Sequence, residues 1–519
     1  MSDRPPVAVV LAAGKGTRMK SARPKVLFEV LGRPIVQRVV DAAREAGCTD
    51  VVVVVGYEAE QVKAALDGVH FVRQPGMQGT GQAVQAAAGA LDFRGRRVLV
   101  LPGDVPMMTA PTLRALLESH LGAITIGSMQ PEDPGGYGRI LRAEDGSVLR
   151  IVEHRDASEA ERAVGEVNTS IYVFDGDFLF GGGEKDGAVF ELETDNEQGE
   201  YLLTDVVGIA TGRGLAVGAS VISDAAEVLG VNDRAQLADL EATIRERINR
   251  DWMESGVSMD DPATTRIEES VHLATDVHLG AGVELRGSTR VGEGAAIGKG
   301  SVLEDVEVGP GATVAPYVLG RGVCIAAGAE IRGFTVMQGV NEKHPEETGA
   351  ADRVEVAEGA RIGPFSHLRQ AVRVGSGGRV GNFVELKKTA LGEEAKVNHL
   401  AYLGDADVGD RSNIGAGVIT CNYDGFSKHQ TRIGKEAFIG TDSHLVAPVR
   451  VGDGAYVATG TTVTRDVPAD ALAIGRVRQD NKKGYAGRIK AQLQARADRA
   501  KSRAEGGDAP SVGDGAESE

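Results

Sequence analysis

Aromatic side chains make up only 4% of the 519 residues, and there is a single tryptophan. A chain so poor in rings cannot fill a thick core with bulky groups, so its layers must be thin and built from Val, Leu, Ile and Ala. Cysteine is scarcer still. Cys48, Cys324 and Cys421 are few, odd in number, far apart and outside any CxxC. That excludes a disulfide framework and a Cys-based zinc site, and the three thiols read as small buried hydrophobes in a reduced cytoplasm. Positive charge is also in deficit, with 57 Lys and Arg against 74 Asp and Glu, a net charge of −17. Such a balance argues against general binding to nucleic acid or to an anionic membrane. An anionic substrate would have to find local cations. No apolar run approaches the roughly 20 residues of a membrane span. Residues 7–13 are apolar but short, lack a cleavage-like site and run into a Gly-Lys loop, so they read as a strand and not as a secretory signal.

What is plentiful is glycine, at 70 residues. The first glycine-rich stretch is LAAGKGTRMKSARPKVL, residues 11–27. A turn of this kind after a buried strand presents backbone N–H groups and cations to something anionic. Up to about residue 230, apolar strands (residues 51–55 and 98–101) alternate with helical patterns (residues 35–46 and 82–91), as in a covered, mainly parallel α/β sheet. Ligands of such sheets sit beyond the carboxyl ends of the strands. Three Gly-rich or polar stretches fall there: the opening loop, the turn after Val55, and Pro102-Gly103-Asp104. From Arg234 to Gly256, Leu237, Leu240, Ile244, Ile248 and Trp252 recur at helical spacing behind Asp233, a plausible cap, and predict an amphipathic arm between domains.

A different period begins beyond about Thr264. Leu279, Leu285, Val291, Ile297 and Leu303 stand six apart, as do Ile433, Ile439, Leu445, Val451, Val457 and Val463. Between them run positions 374, 380, 386, then 391, 397, 403, then 408, 414. Six is neither a helical nor a hairpin period. It is the hexapeptide signature of a β-helix, in which each hexad forms one face of a triangular coil and stacking is obligatory. The stretch 333–352 shows no repeat and predicts a loop protruding from the coil. From Ala486 the chain is polar and Ala-rich, and GGDAPSVGDGAESE at its end lacks the apolar residues needed to fold.

Several segments taken together resemble one family. LAAGKGTRM with PKVL, QGTG, GYGRI, IVEH, EVNTS and GVN in the first half, and GNFVELKK, NHLAYLGD, NIGAGVITCNYDG and VTRDV in the second, are similar to the bifunctional enzymes that make UDP-N-acetylglucosamine. The opening motif is shared by sugar nucleotidyltransferases generally; NHLAYLGD with ITCNYDG in one chain is far more specific. The resemblance implies a Rossmann-like uridylyltransferase domain over residues 1–233, a linker helix over 234–256, a left-handed β-helix acetyltransferase domain over 257–485 and a polar tail over 486–519. It also implies a cytoplasmic homotrimer acting on small molecules, with no nucleic acid or membrane partner.

For the first chemistry, N-acetylglucosamine 1-phosphate attacks the α-phosphorus of UTP and expels pyrophosphate. The resemblance assigns UTP to Leu11, Ala12, Ala13, Gly14, Arg18 and Lys25, the uracil to Gln74, Gly79 and Thr80, and the sugar and its phosphate to Gly138, Glu153 and Asn168. Gly103 and Asp104 join this site, and Asp104 with Asn232 would bind magnesium, which favours hard oxygen donors. Each of Lys25, Asp104 and Asn232 taken alone reads as a solvated cation, a cap or a turn residue. Pro102 stands where relatives usually carry another residue before Gly-Asp.

For the second chemistry, acetyl moves from acetyl-CoA to the amine of glucosamine 1-phosphate. That amine arrives largely as ammonium, so a base is needed, and histidine suits neutral pH. His399, in NHLAYLGD, matches the family's base, and Glu385 is a candidate to orient its ring. Arg369 and Lys387 match positions that grip the sugar phosphate. Tyr402, Asn413, Asn422 and Tyr423 match contacts to the amino sugar or the coenzyme, and Ala416, Thr441, Thr459 and Arg476 match acetyl-CoA positions. Thr441, Thr459 and Tyr485 depart from the family's commoner Ser, Ala and Trp. His344, in the 333–352 stretch, reads as exposed and inert. Two rival readings exist: a nucleotidyltransferase whose β-helix is only a scaffold or regulatory module, and a regulatory subunit with both sites dead. His399 in its motif speaks against the first, and Arg18, Lys25 and Asp104 against the second.

Overall fold

The structure, a computed structural model, describes residues 4–505 apart from 77, 184, 197, 198 and 342. In the first half, the strands β1 (Val7–Ala12), β2 (Asp50–Val55), β3 (His70–Arg73), β4 (Arg97–Pro102), β5 (Ile124–Met129), β6 (Arg139–Arg142), β7 (Val148–Val152), β8 (Val167–Asp175) and β9 (Val217–Val221) form a single sheet. Its order is β9-β5-β8-β4-β1-β2-β3, with β6 and β7 attached beside β8. β1 runs parallel to both β2 and β4, whereas β8 is antiparallel to its neighbours β4 and β5. The Val-rich centre is apolar on both faces: Val7, Ala8, Val9 and Val10 are all fully buried. Two separate apolar clusters cover the faces, one containing helix α1 (Ile35–Glu45) and the other α2 (Thr80–Ala87). The chain builds β1, β2 and β3 outward in one direction and then crosses to β4 on the other side of β1. That reversal opens a crevice at the carboxyl ends of β1 and β4, where an α/β sheet takes its ligand.

Helix α3 (Ala110–Glu118) follows the Gly103-Asp104 turn, and helix α4 (Arg234–Glu254) forms the arm. Asp233 is its N-cap, accepting from the backbone N–H of Ala235 and Gln236. Leu240 and Ile244 pack on the first half, while Ile248 and Trp252 pack on the core of the second.

The second half is the left-handed parallel β-helix that the six-residue period specifies. Short strands pair in parallel with the third strand along, so that Leu279 lies beneath Ile297, and Ile297 beneath Val314. The expected inward residues, from Leu279 to Val463, are all buried and form one continuous column. Two long strands sit in its middle, β10 (Arg379–Leu391) and β11 (Lys396–Val408). They pair along their length and bend around two corners of the coil.

One expectation about the coil needs correction. The stretch 333–352 is not all loop. Strand Val336–Gln338 continues the coil, pairing on both sides, and Met337 is fully buried in the column. A scan for branched aliphatics passes over methionine, which fills the same slot. The excursion begins only at Gly339 and carries two short turns, Pro345–Glu347 and Ala350–Asp352. His344 is exposed on it and lies 3.4 Å from Glu346. The polar Ala-rich stretch from 486 belongs to a helix, α5 (Tyr485–Glu505), because Ala, Arg, Lys and Gln are strong helix formers. Residues 506–519, expected to be unfolded, lie outside the described residues. Among the described residues no helix is long and apolar enough to cross a membrane.

Candidate functional sites

The first site lies in the crevice at β1 and β4. Backbone contacts fix its floor: Gly103 N–H donates to Leu11 O at 2.9 Å, and Tyr57 N–H donates to Ala13 O at 3.2 Å. Pro102 costs nothing here, because it is the strand's last residue and Gly103 still makes the bond to β1. Gly16 adopts a left-handed φ of 60°, and a Cβ on it would stand 2.5 Å from Lys25 Cβ. Only glycine lets the loop fold back over Lys25. The Lys25 ammonium then reaches Asp104 Oδ2 at 2.5 Å and Asn232 Oδ1 at 3.4 Å, while Arg18 donates to the same Asn232 oxygen at 2.9 Å. Leu11, Ala12, Ala13 and Gly14 lead into this cluster. One cationic nitrogen thus already spans the oxygens of Asp104 and Asn232. A carboxylate and a carboxamide oxygen that a single cation can bridge are the donor set a hard divalent ion takes.

The pocket continues along the strand ends. Gln74 is 7% exposed, and its Nε2 donates to Gly79 O at 2.9 Å and to Gln82 Oε1 at 3.2 Å. Gly79 has φ 95°, and a Cβ there would meet Tyr201 O at 2.5 Å. Thr80 Oγ1 accepts from Leu203 N–H at 3.2 Å. On the β6–β8 side, Asn168 N–H donates to Gly138 O at 2.9 Å, and Asn168 Nδ2 donates to the Tyr172 hydroxyl at 2.7 Å. Ser170 takes a left-handed φ of 63° where the pairing of β8 with β5 shifts register, next to the buried Asn168. Glu153 accepts from the Thr204 hydroxyl at 3.3 Å. Burial, reinforced by the nearby Asp156 and Asp205 carboxylates, raises its pKa, and the Thr204 bond opposes that only in part.

The second site lies on the β-helix. Asn382 stands directly beneath His399 in the parallel pairing of β10 and β11, and His399 Nδ1 is 2.9 Å from Asn382 Oδ1. An amide oxygen only accepts, so Nδ1 is the donor to it and Nε2 is the ring nitrogen left without a protein partner among the described residues. This overturns the expectation for Glu385, whose Oε1 instead accepts from Arg369 Nη1 at 2.8 Å. Glu385 is on the face beyond the corner, three residues from Asn382 along the strand, and its register partner is Tyr402. The signal for Asn382 was in the sequence: counting rungs through the five-residue step from 386 to 391 puts 382 under 399.

The same corner continues upward through Ala416, Thr441 and Thr459, since Asp442 N–H donates to Ala416 O at 2.8 Å and Gly460 N–H to Thr441 O at 2.9 Å. A Cβ on Gly460 would be 3.8 Å from Arg476 Cδ, so Arg476 stands at the end of this line. Lys387 is in register with Gly404, and Arg369 stands one rung below. The Tyr402 hydroxyl hydrogen-bonds Asn422, which is 7% exposed and donates to Asp405 at 2.6 Å; burial pushes the Tyr402 pKa up. Asn413 lies on the face before the corner, between Lys396 and Phe438. Tyr423 is 60% exposed on a short loop and donates to Gly425 O at 2.5 Å. Tyr485 is also exposed, at the start of α5. The arrangement offers an exposed imidazole tethered by Asn382 at the corner, with Arg369 and Lys387 on the face beyond it.

Comparison with known proteins adds to this geometry. Residues 8–165 match the MobA-like NTP transferase domain, and residues 430–465 match the hexapeptide repeat of succinyl-transferase. The chain is 47% identical over 502 residues to the bifunctional protein GlmU of Sorangium cellulosum, covering 94% of this chain and 98% of the relative. It is 43% identical to that of Geobacter sulfurreducens and 42% identical to that of Shouchella clausii, each over 92% of this chain and 98% of the relative. With a nucleotide crevice, a histidine-bearing β-helix and this extent of identity in one polypeptide, the chain belongs to the GlmU family of bifunctional proteins.

Proposed function

We propose that this protein catalyses two consecutive steps of UDP-N-acetylglucosamine synthesis. It N-acetylates glucosamine 1-phosphate from acetyl-CoA, then transfers uridylyl from UTP to N-acetylglucosamine 1-phosphate with release of pyrophosphate. The product is a precursor for peptidoglycan and lipopolysaccharide. Residues 1–233 carry the second step and 257–485 the first, joined by 234–256 and followed by the tail 486–519. The observation that carries the reading is the His399 ring, tethered by Asn382 on an exposed corner of the coil. A scaffold needs only the repeat and has no use for an imidazole held in one tautomer.

In acetyl transfer, Arg369 and Lys387 hold the sugar phosphate. His399 Nε2 takes a proton from the substrate ammonium, and the freed amine attacks the thioester carbonyl; the C–S bond then breaks, coenzyme A leaves as the thiolate, and the nitrogen's second proton passes to that sulfur. Tyr402, Asn413, Asn422 and Tyr423 contact the amino sugar or the coenzyme. Ala416, Thr441 and Thr459 line the acetyl-CoA groove, and Arg476 meets the coenzyme's phosphates. In uridylyl transfer the protein makes no covalent bond; positioning and charge stabilisation lower the barrier. Loop amides from Leu11 to Gly14, with Arg18 and Lys25, grip the triphosphate, Gln74, Gly79 and Thr80 hold the uracil, and Gly138, Glu153 and Asn168 hold the sugar. Asp104 and Asn232 would hold a magnesium ion, which when bound offsets the charge of the phosphates.

We read the protein as a cytoplasmic homotrimer whose acetyl site is completed between subunits, with no nucleic-acid or membrane partner. An exposed stack of rings supports this: Tyr317, Phe334, Phe365 and Phe383 lie face to face along one corner, with centroids 5.3, 5.0 and 5.7 Å apart. Leu400, adjacent to His399, extends it and is 63% exposed. A contiguous apolar stripe of this kind marks an interface.

The test is reciprocal. Coenzyme A release with glucosamine 1-phosphate, and pyrophosphate release with UTP, are measured on two variants. His399→Ala is expected to lose about 10²–10⁴-fold in acetyl transfer, the usual worth of a general base, and to keep uridylyl transfer. Asp104→Ala should do the reverse. Loss of both activities from either change would count against two independent sites.

A further inference from the structure

One buried carboxylate has no place in either chemistry. Glu227 is 8% exposed, and among the described residues no basic side chain pairs with it. Its three partners are neutral: Oε2 accepts from Thr109 N–H and the Thr109 hydroxyl, both at 3.1 Å, and Oε1 accepts from the Thr112 hydroxyl at 3.0 Å. Thr109 is the N-cap of α3, so the carboxylate sits at a helix N-terminus, which favours negative charge. Burying a lone anion is nevertheless a poor way to gain stability, since an apolar residue of similar size would serve better. What the carboxylate supplies is three directional bonds.

Those bonds fix two segments against each other. One runs from Asp104 to Thr109, the other from Glu227 to Asn232, and each is six residues long. At the crevice end, Val231 N–H donates to Asp104 O at 3.0 Å. At the far end, Glu227 holds Thr109 and Thr112. A Cβ on Gly230 would lie 3.5 Å from Asp104 Oδ2, so the second segment passes directly over the Asp104 carboxylate. Lys25 also bridges Asp104 and Asn232, and Val228 and Val231 pack in the same apolar clusters as Val105, Met108 and Met107; what Glu227 adds is directional hydrogen bonds at the far end.

We infer that Glu227 is a positioning residue for the uridylyl site, acting through the loop to fix Asn232 Oδ1 relative to Asp104. This rests on the reading of Asp104 and Asn232 as magnesium ligands. Glu227 touches neither substrate nor metal. Outer residues that orient metal ligands typically carry about 10–100-fold in metal affinity or activity.

The experiment uses the full-length protein with Mn²⁺ as a spectroscopic probe. Binding of Mn²⁺ in the presence of UTP is measured by electron paramagnetic resonance, alongside the Mg²⁺ dependence of pyrophosphate release. Glu227→Ala is expected to weaken Mn²⁺ binding by about 10-fold or more and to raise the Mg²⁺ requirement in parallel, with uridylyl transfer recovering at high Mg²⁺. Glu227→Gln keeps an acceptor for Thr109 N–H and should restore most of the loss. Thr112→Val removes one of the three bonds and keeps the two from Thr109; it should give a smaller shift of the same sign, which keeps the test open if the alanine variant folds poorly. Acetyl transfer should be unchanged in all three. Parent-like Mn²⁺ affinity in both Glu227→Ala and Thr112→Val would overturn the inference. Absence of UTP-dependent Mn²⁺ binding in the parent itself would instead overturn the magnesium reading beneath it.

Discussion

At the scale of the residue, the chemistry depends on which polar neighbour a titratable group is given. Asn382 offers His399 an oxygen that can only accept, and this sets the tautomer without adding charge. Glu385 is committed instead to Arg369, on the face beyond the corner. Glu153 shows the opposite case, a carboxylate pushed upward by burial and by the neighbouring Asp156 and Asp205 charges. Folding disfavours its ionised form, so ionised Glu153 costs stability above its raised pKa. The cost fades as pH falls through that value towards the ordinary carboxylate range. Glu153→Gln removes the charge and keeps an acceptor for Thr204. The variant is therefore expected to melt at a higher temperature than the parent at neutral pH. Its advantage should shrink steadily on acidification, as followed by circular dichroism across the range. A gain that stays constant with pH would show that the charge is not what burial penalises. Uridylyl transfer should fall in the same variant if the carboxylate faces the sugar.

At the scale of the element, the coil is held by close backbone approach as much as by its aliphatic column. Gly381 is the clearest instance: a Cβ there would lie 1.9 Å from Asn398 O on the next rung. That rung carries His399, and Asn382 follows Gly381 directly. Gly381→Ala must push the two rungs apart at the Asn382–His399 contact. It is expected to lower acetyl transfer at least tenfold, since a displacement of ~1 Å can cost about 10² in rate. Uridylyl transfer should stay intact. Full acetyl activity in this variant would show that the corner tolerates splaying. The coil was legible in the sequence because one physical rule, an inward aliphatic every six residues, repeats without tertiary help. The α/β half was legible in its central strands for a similar reason, their burial on both faces. What escaped was whatever departs from a local rule. Met337 fills an aliphatic slot with an unbranched chain. Residues from 486 lack a core partner, yet their helix propensity suffices for α5. Charge chemistry alone points to Glu385 as the partner of His399, while the partner is decided by rung register across 17 positions. Glu227 escaped because its meaning lies in the Thr109 and Thr112 it meets, more than a hundred residues away.

At the scale of the whole molecule, two units of different construction share one arm. Helix α4 buries Leu240 and Ile244 against the first and sets Ile248 and Trp252 against the second. Arg38 of α1 pairs with Glu269 at the start of the coil, and Arg33 reaches the same carboxylate. These contacts join the halves within one chain, but they leave the ring stack of the β-helix bare. Parallel rungs repeat about every 4.8 Å, so the stack from Tyr317 to Leu400 spans four such steps, roughly 20 Å of apolar corner. Stacked ring pairs add about 0.5–1.5 kcal/mol each beyond the area they bury, so the stack is itself rigid and presents a preformed surface. Its upper end is Leu400, next to His399. If a second subunit covers this corner, assembly and acetyl transfer must fail together while uridylyl transfer, made wholly in the other half, persists. The double variant Phe365→Asp/Phe383→Asp puts two charges into the stripe without touching His399 or the column. Sedimentation should show monomers, with acetyl transfer reduced by about 10² or more and uridylyl transfer within a factor of about two, since a buried unpaired carboxylate costs several kcal/mol at each site. A trimer that survives both charges would place the interface on another face. A monomer that still acetylates would show that each chain holds a complete acetyl site of its own.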